Sequence, residues 1–120
     1  MFSHARRLSW SGETLGYTIN IAAIGGEEVD LGIEGGNELI DLVDAFFAGD
    51  ESQQESARKA VIEVLGPESF FDSATVFGNF EMMNRIAEGT GIGIPPQWIE
   101  RHAEMVETLH LTDAMKSQQT

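Results

Sequence analysis

Arg85 is the side chain best placed by type to hold a small carboxylate, because its planar guanidinium offers a two-pronged donor fork that fits such a group. It follows Asn84 near the end of a long apolar-rich run, with Asn79 and Glu81 a turn or two upstream. The plainer role for Asn84 and Arg85 is to tie a helix end to a neighbouring chain or loop, with Phe80 and Met83 as packing residues. The imidazoles are His4, His102 and His110, and no two stand at metal-ligand spacing. His102 lies one turn from Trp98 and close to Glu104 and Glu107, which suits either a proton shuttle or the wet edge of an amphipathic helix, and the spacing favours the edge. Glu27, Glu28, Asp30 and Glu34 form an acidic cluster with the hard oxygens that a divalent cation prefers. Without a spaced Asp-x-Asp-x-Asp-Gly pattern, a solvated loop is the expectation, and no metal is expected. Gly89-Thr90-Gly91-Ile92-Gly93 follows a helical run rather than a strand, so it reads as a helix stop and not as a dinucleotide loop.

Composition narrows the chemistry further. The chain has no cysteine, which excludes disulfides, thiol catalysis and Cys-ligated zinc or iron–sulfur sites. No cofactor is expected. Twenty acidic against seven basic residues leave a net charge of −13, which repels phosphate backbones and anionic lipid, so neither nucleic acid nor membrane is an expected partner. No run reaches the length of a membrane span or of a signal-peptide core, and a soluble cytoplasmic protein is expected. At 120 residues, with 42% apolar residues, the length points to one domain with one modest core. Seven Phe, five Met and two Trp are more bulky apolar surface than so short a chain covers alone, so a homo-oligomer is expected.

The elements that must position these residues are read from periodicity. Leu39, Ile40, Leu42, Val43, Phe46 and Phe47 recur at three-and-four spacing and predict a helix over 38–48, with Asn37 as its N-cap and Gly49 as its stop. Ala57, Ala60, Val61, Val64 and Leu65 predict a second helix that begins after Asp50 or Ser52 and halts at Gly66-Pro67. Phe70, Phe71, Ala74, Phe77, Phe80, Met83 and Ile86 predict a third, central helix from about Glu68 to Glu88. Pro95-Pro96 pre-sets a fourth, which carries Trp98, Ile99, His102, Met105, Val106 and Leu109 and is expected over 96–116. Residues 1–36 are harder to place. Leu15–Ile24 is rich in β-branched and aromatic residues, Gly25-Gly26 marks a turn, and Val29–Ile33 would pair back as the second strand of a hairpin.

Two stretches carry a family resemblance. Phe77 to Ile92, with Leu65-Gly66-Pro67-Glu68 and Asp72-Ser73-Ala74 before it, resembles the last core helix of the alkylhydroperoxidase D-like and carboxymuconolactone decarboxylase superfamily. Asn79, Phe80, Met83, Asn84, Arg85 and Ala87 are the matching positions, and with the two preceding helices the resemblance covers about 38–94. Upstream, Leu15 to Ala22 is similar to the Cys-x-Tyr-Cys-x-x-x-His segment of the peroxidase branch, with Leu15, Thr18 and Ala22 at the three chemical positions. The resemblance implies an all-α helical bundle. It also places Thr14 to Ala23 at the start of a helix carrying the degenerate motif, against the hairpin that local propensity favours; of the two the helix is preferred for 14–24, and the glycine-punctuated 25–36 is expected to be irregular. In thiol peroxidases of this kind, two cysteines cycle through a disulfide while His and Glu move protons; leucine and threonine cannot replace an ionisable sulfur. The expectation is therefore an oligomeric binding or structural protein without thiol peroxidase activity. One rival is a cysteine-independent enzyme resembling carboxymuconolactone decarboxylase, acting on a small carboxylated substrate through His4, Glu13, Glu81 and Arg85 converging in one pocket. The other is an interaction module that covers a partner with exposed Phe and Met.

Overall fold

The computed structural model describes residues 2–48 and 50–111, and among these the protein is all-α, with six helices, one 3-10 turn and no strand. The chain forms two compact units, Glu34–Gly93 and a second made of Met1–Ile33 with Ile94–Thr120.

The first of these units is built on three consecutive helices. Helix α2 spans Gly36–Ala48, α3 spans Glu51–Leu65 and α4 spans Pro67–Thr90; α1, Phe2–Thr14, belongs to the other unit. The periodic apolar residues of α2 and α3 meet in a core of Leu42, Ala45, Ala57 and Val61, with Leu39, Phe46, Leu65 and Phe70 packed around it. The carboxylate of Asp50 opens α3 by accepting hydrogen bonds from the N–H groups of Ser52 at 2.8 Å and Gln53 at 3.2 Å. Gly66 then joins α3 to α4 at φ 87° and ψ 165°, a backbone region open essentially to glycine alone, and its carbonyl accepts the N–H of Phe70 at 3.1 Å. Pro67 at the first helical position loses nothing, since that N–H has no intrahelical acceptor. At the far end Gly91 is left-handed, and Ile92 N–H reaches the Ala87 carbonyl at 3.0 Å while Gly91 N–H reaches that of Glu88 at 3.2 Å, a Schellman closure. Gly89-Thr90-Gly91 is thus a helix stop.

Helix α2 begins one residue earlier than its expected cap. Gly35 turns the chain at φ 72°, lies tight against the Leu65 side chain, and presents its carbonyl to the Leu39 N–H at 3.0 Å, so Asn37 falls inside the first turn instead of capping it. The expected stop at Gly49 lies outside the described residues.

In the second unit, the helix expected over 14–24 is absent. The helix lies upstream, as α1, and ends where Gly16 adopts φ 83°. Tyr17 N–H then bonds the Gly12 carbonyl at 2.8 Å and Gly16 N–H that of Glu13 at 3.2 Å, which closes the helix just where the motif was to begin. Ile19 folds back onto Gly12, which has no room for a side chain. Asn20 caps a 3-10 turn at Ile21–Ala23, its side-chain oxygen accepting from the Ala22 N–H at 3.2 Å. The hairpin is absent too, but one rung survives: Asn20 N–H bonds the Leu31 carbonyl at 2.9 Å, and Gly32 lies against the Thr18 carbonyl where a Cβ would overlap. Residues 25–35 are irregular, as expected.

The expected C-terminal helix is interrupted. Helix α5, Pro96–Arg101, and helix α6, Ala103–Thr108, are separated by His102 at φ −122° and ψ 28°, and α6 closes at a left-handed His110 with φ 51°. Residues 112–116 of the expected helix lie outside the described residues. Among the described residues, Ala5, Ala23, Leu31, Val106 and Leu109 are the buried apolar ones of this unit. Among the described residues, no helix is long and apolar enough to cross a membrane.

Candidate functional site

A concavity with a largely apolar lining runs between α2 and α4 in the three-helix unit. Leu39, Leu42, Val43 and Phe46 line one wall and Val76, Phe77 and Phe80 the other, around an open groove of about 430 Å³. Its aromatic end is ordered by ring contacts: Phe77 stacks on Phe46 with centroids 5.2 Å apart and meets Phe47 edge-on at 5.8 Å. Two polar side chains, Asp72 and Ser73, stand at the rim. The Ser73 hydroxyl donates to the Ser69 carbonyl at 2.7 Å, so its proton is already engaged. A groove of this kind can hold an apolar body and set a carboxylate beside it, but it brings together no nucleophile with a base. A second groove of about 500 Å³ between α2 and α3 is floored by Ala45, Ala48, Ala57 and Ala60 and edged by Asp41, Asp44, Ser52, Gln53 and Ser56.

Neither groove is lined by Glu81 or Arg85. Both side chains lie on α4, where Asn84 donates to the Glu81 carboxylate at 3.3 Å and Arg85 pairs with Glu88 at 2.8 Å. The Arg85 and Glu88 side chains are 66% and 59% exposed, so this is a surface ion pair within one helix and not a buried anion site. Asn79 is exposed on the same helix. His4 and Glu13 sit exposed on α1, in the other unit and more than two turns apart. The structure therefore joins Glu81 with Asn84, and Arg85 with Glu88, and gathers no acid–base pair around Arg85 in either groove.

Leu15, Thr18 and Ala22 share no helix face, because the chain leaves α1 at Leu15 and re-coils only at Ile21. Leu15 is exposed and Thr18 contributes its backbone carbonyl to the close approach of Gly32. His102 lies over Trp98, ring centroids 4.8 Å apart, with its Nδ1 2.8 Å from the Trp98 carbonyl oxygen; it belongs to the break between α5 and α6. Among the described residues, no group of three His, Asp or Glu side chains is arranged to hold a metal ion. The resolved pKa perturbation is a surface one: the Lys59 ammonium, hydrogen-bonded to Glu55 one turn away, holds that carboxyl below its ordinary range.

The groove itself was not legible as a site. The spacing of its wall residues marks packing faces, and nothing in the sequence singles out Val76 or the Asp72 carboxylate as groove-lining. The available signal is a width: Val76 and Phe80 extend the apolar face that Phe70 and Phe77, two turns apart, already present along α4. No protein-family model, no curated protein and no solved structure matches this chain.

Proposed function

We propose that this chain is a non-redox alkylhydroperoxidase D-like protein of the cytoplasm that works as a homo-oligomeric binding protein without thiol peroxidase activity. The observation that carries this reading is the α2–α4 groove, apolar along both walls and free of a paired acid, base or nucleophile. The resemblance of Phe77–Ile92 supplies the family, and the absence of cysteine removes its peroxidase chemistry. The rival reading as a carboxymuconolactone decarboxylase-like enzyme needs Glu81 and Arg85 in a pocket, whereas both are engaged on the outer surface of α4. Asp72 at the groove rim repels a carboxylate, so the ligand that fits is a neutral or cationic apolar body rather than the small carboxylate that Arg85 suggested.

A neutral solvatochromic dye tests the groove. Nile red is expected to bind saturably, to be displaced by long-chain amines and alcohols, and to resist displacement by carboxylates of the same length. Val43→Asp, at the groove wall, is expected to abolish binding while helical circular dichroism is retained. Unchanged dye binding in that variant removes the groove as the binding element, and peroxide turnover with a dithiol reductant above a buffer control removes the non-redox assignment.

A further inference from the structure

Helix α4 is apolar on more than the faces its own unit uses. It has 24 residues and none is buried. Beyond the groove and core faces, Thr75, Gly78, Met82, Ile86 and Gly89 recur every three or four residues along one exposed line, with Met82 and Ile86 each 55% exposed. Met82 and Ile86 thus lie outside both faces that α4 uses in its own unit, and exposed apolar side chains in line on a helix mark an interaction surface. The stripe has an internal size pattern: bulky Met82 and Ile86 are bracketed by Gly78 and Gly89, and a Cβ built on either glycine meets open space. Glu81, half-buried, and Arg85, exposed, flank it on one side, one turn apart.

We infer that this stripe is an interface with a second copy of the same chain, in which two α4 helices pack antiparallel about a two-fold axis at Met82. The inference rests on the self-association proposed above and names its contact. In this register Met82 meets Met82 of the second copy, Ile86 enters the gap over Gly78 of the second copy, and Thr75 lies over Gly89 of the second copy. A knob therefore meets a hole on both sides of the axis, and the backbones approach closely at glycine. A two-fold of this kind sets equal flanks of the two helices against each other. Arg85 then comes within about one turn of Glu81 of the second copy, and the symmetry repeats that opposite-charge pair. A parallel arrangement loses both features, because it stacks Ile86 on Ile86 and leaves a gap where Gly78 faces Gly78. The local charge pair and the self-complementary shape thus fit a second copy, in the antiparallel sense over the parallel one.

The cysteine-free chain makes the register directly readable, since any introduced thiol is the sole thiol. Met82→Cys is expected to oxidise to a disulfide-linked dimer under mild conditions, while Thr75→Cys stays monomeric on a non-reducing gel. Two Thr75 positions lie roughly 20 Å apart in the antiparallel register, far beyond disulfide reach. Crosslinking by both variants, by Thr75→Cys alone, or by neither overturns the proposal. Arg85→Glu and Glu81→Arg are each expected to weaken the dimer by about tenfold, and the double variant to recover most of that loss. No recovery in the double variant overturns the ion pair across the axis. Light scattering separates this inference from the reading it rests on: an oligomer that does not crosslink through position 82 sinks the α4 pairing alone, whereas a monomer at all concentrations sinks both.

Discussion

Val61 is fully enclosed between α2 and α3, while every large side chain of α4 keeps contact with water. Substitutions at single residues therefore separate sharply by position. Val61→Ala removes two methyl groups from the packed centre of the three-helix unit and is expected to cost about 2 kcal/mol, read as a shift in denaturant midpoint at constant slope. Arg85→Lys is expected to cost under about 0.5 kcal/mol, because the fork it loses serves an exposed pair with Glu88 in its own helix. A larger loss in dilute, monomeric protein would mean that Arg85 holds something other than Glu88. Glu55 supplies the pH-dependent term. Its folded pKa is depressed by Lys59, so the pair's stabilisation is present above the unfolded carboxyl pKa and is lost as pH falls through the lower folded value. Wild type is expected to melt slightly above Glu55→Gln at neutral pH and low salt, and to match it in strong acid or in molar salt. A difference that persists in molar salt would show that the exposed charge pair is not its cause.

Among the elements, the joint between α3 and α4 has the strictest demand. Gly66 holds a backbone conformation that a Cβ disfavours even though the space around it is open, so the penalty for a side chain is conformational and not steric. Gly66→Ala is expected to destabilise by about 1–3 kcal/mol, measured by urea unfolding, with helix content unchanged in the surviving fold. Gly78→Ala, inside α4 at an ordinary helical backbone, should stabilise the isolated helix by up to about 1 kcal/mol through propensity. The same change fills the hole proposed for Ile86 of a second copy, so a tighter monomer with a weaker dimer is the combined outcome at that position.

At the scale of the whole molecule, charge opposes assembly. Each copy carries −13, against which the proposed dimer sets two opposite-charge pairs, so net repulsion dominates the long-range field. Dimerisation is expected to tighten as sodium chloride rises from about 10 to 150 mM, over which the Debye length shrinks from roughly 30 to 8 Å. Sedimentation equilibrium across that series reads the effect directly. An affinity that falls steadily with salt would mean that local ion pairs outweigh the net charge.

Several features of this protein follow from its order of residues alone. A helix start after Asp50 or Ser52, Gly66-Pro67 as a joint and the Gly89–Gly93 run as a stop are legible because each acts on its own few residues of backbone, through a side-chain acceptor, a fixed φ or a missing Cβ; the structure gives the cap to Asp50 and the stop to Gly91. The three-and-four spacing of Leu42, Ala57, Val61 and Phe70 reports their helices for the same reason. Where local signals compete, only the folded chain decides. Residues 14–24 carry β-branched residues, a helical family likeness and Gly16 together, and the outcome turned on Gly16 closing α1 and on Ile19 packing back against Gly12. His102 gives no sequence cue to a helix break, yet its backbone leaves the helical region between α5 and α6. The groove was hidden for a related reason: periodicity shows that Phe46 and Phe77 face inward but not whether another helix fills the space between them. Spacing along a chain ranks faces by polarity, and the distance between two faces is set by the packing of all their neighbours.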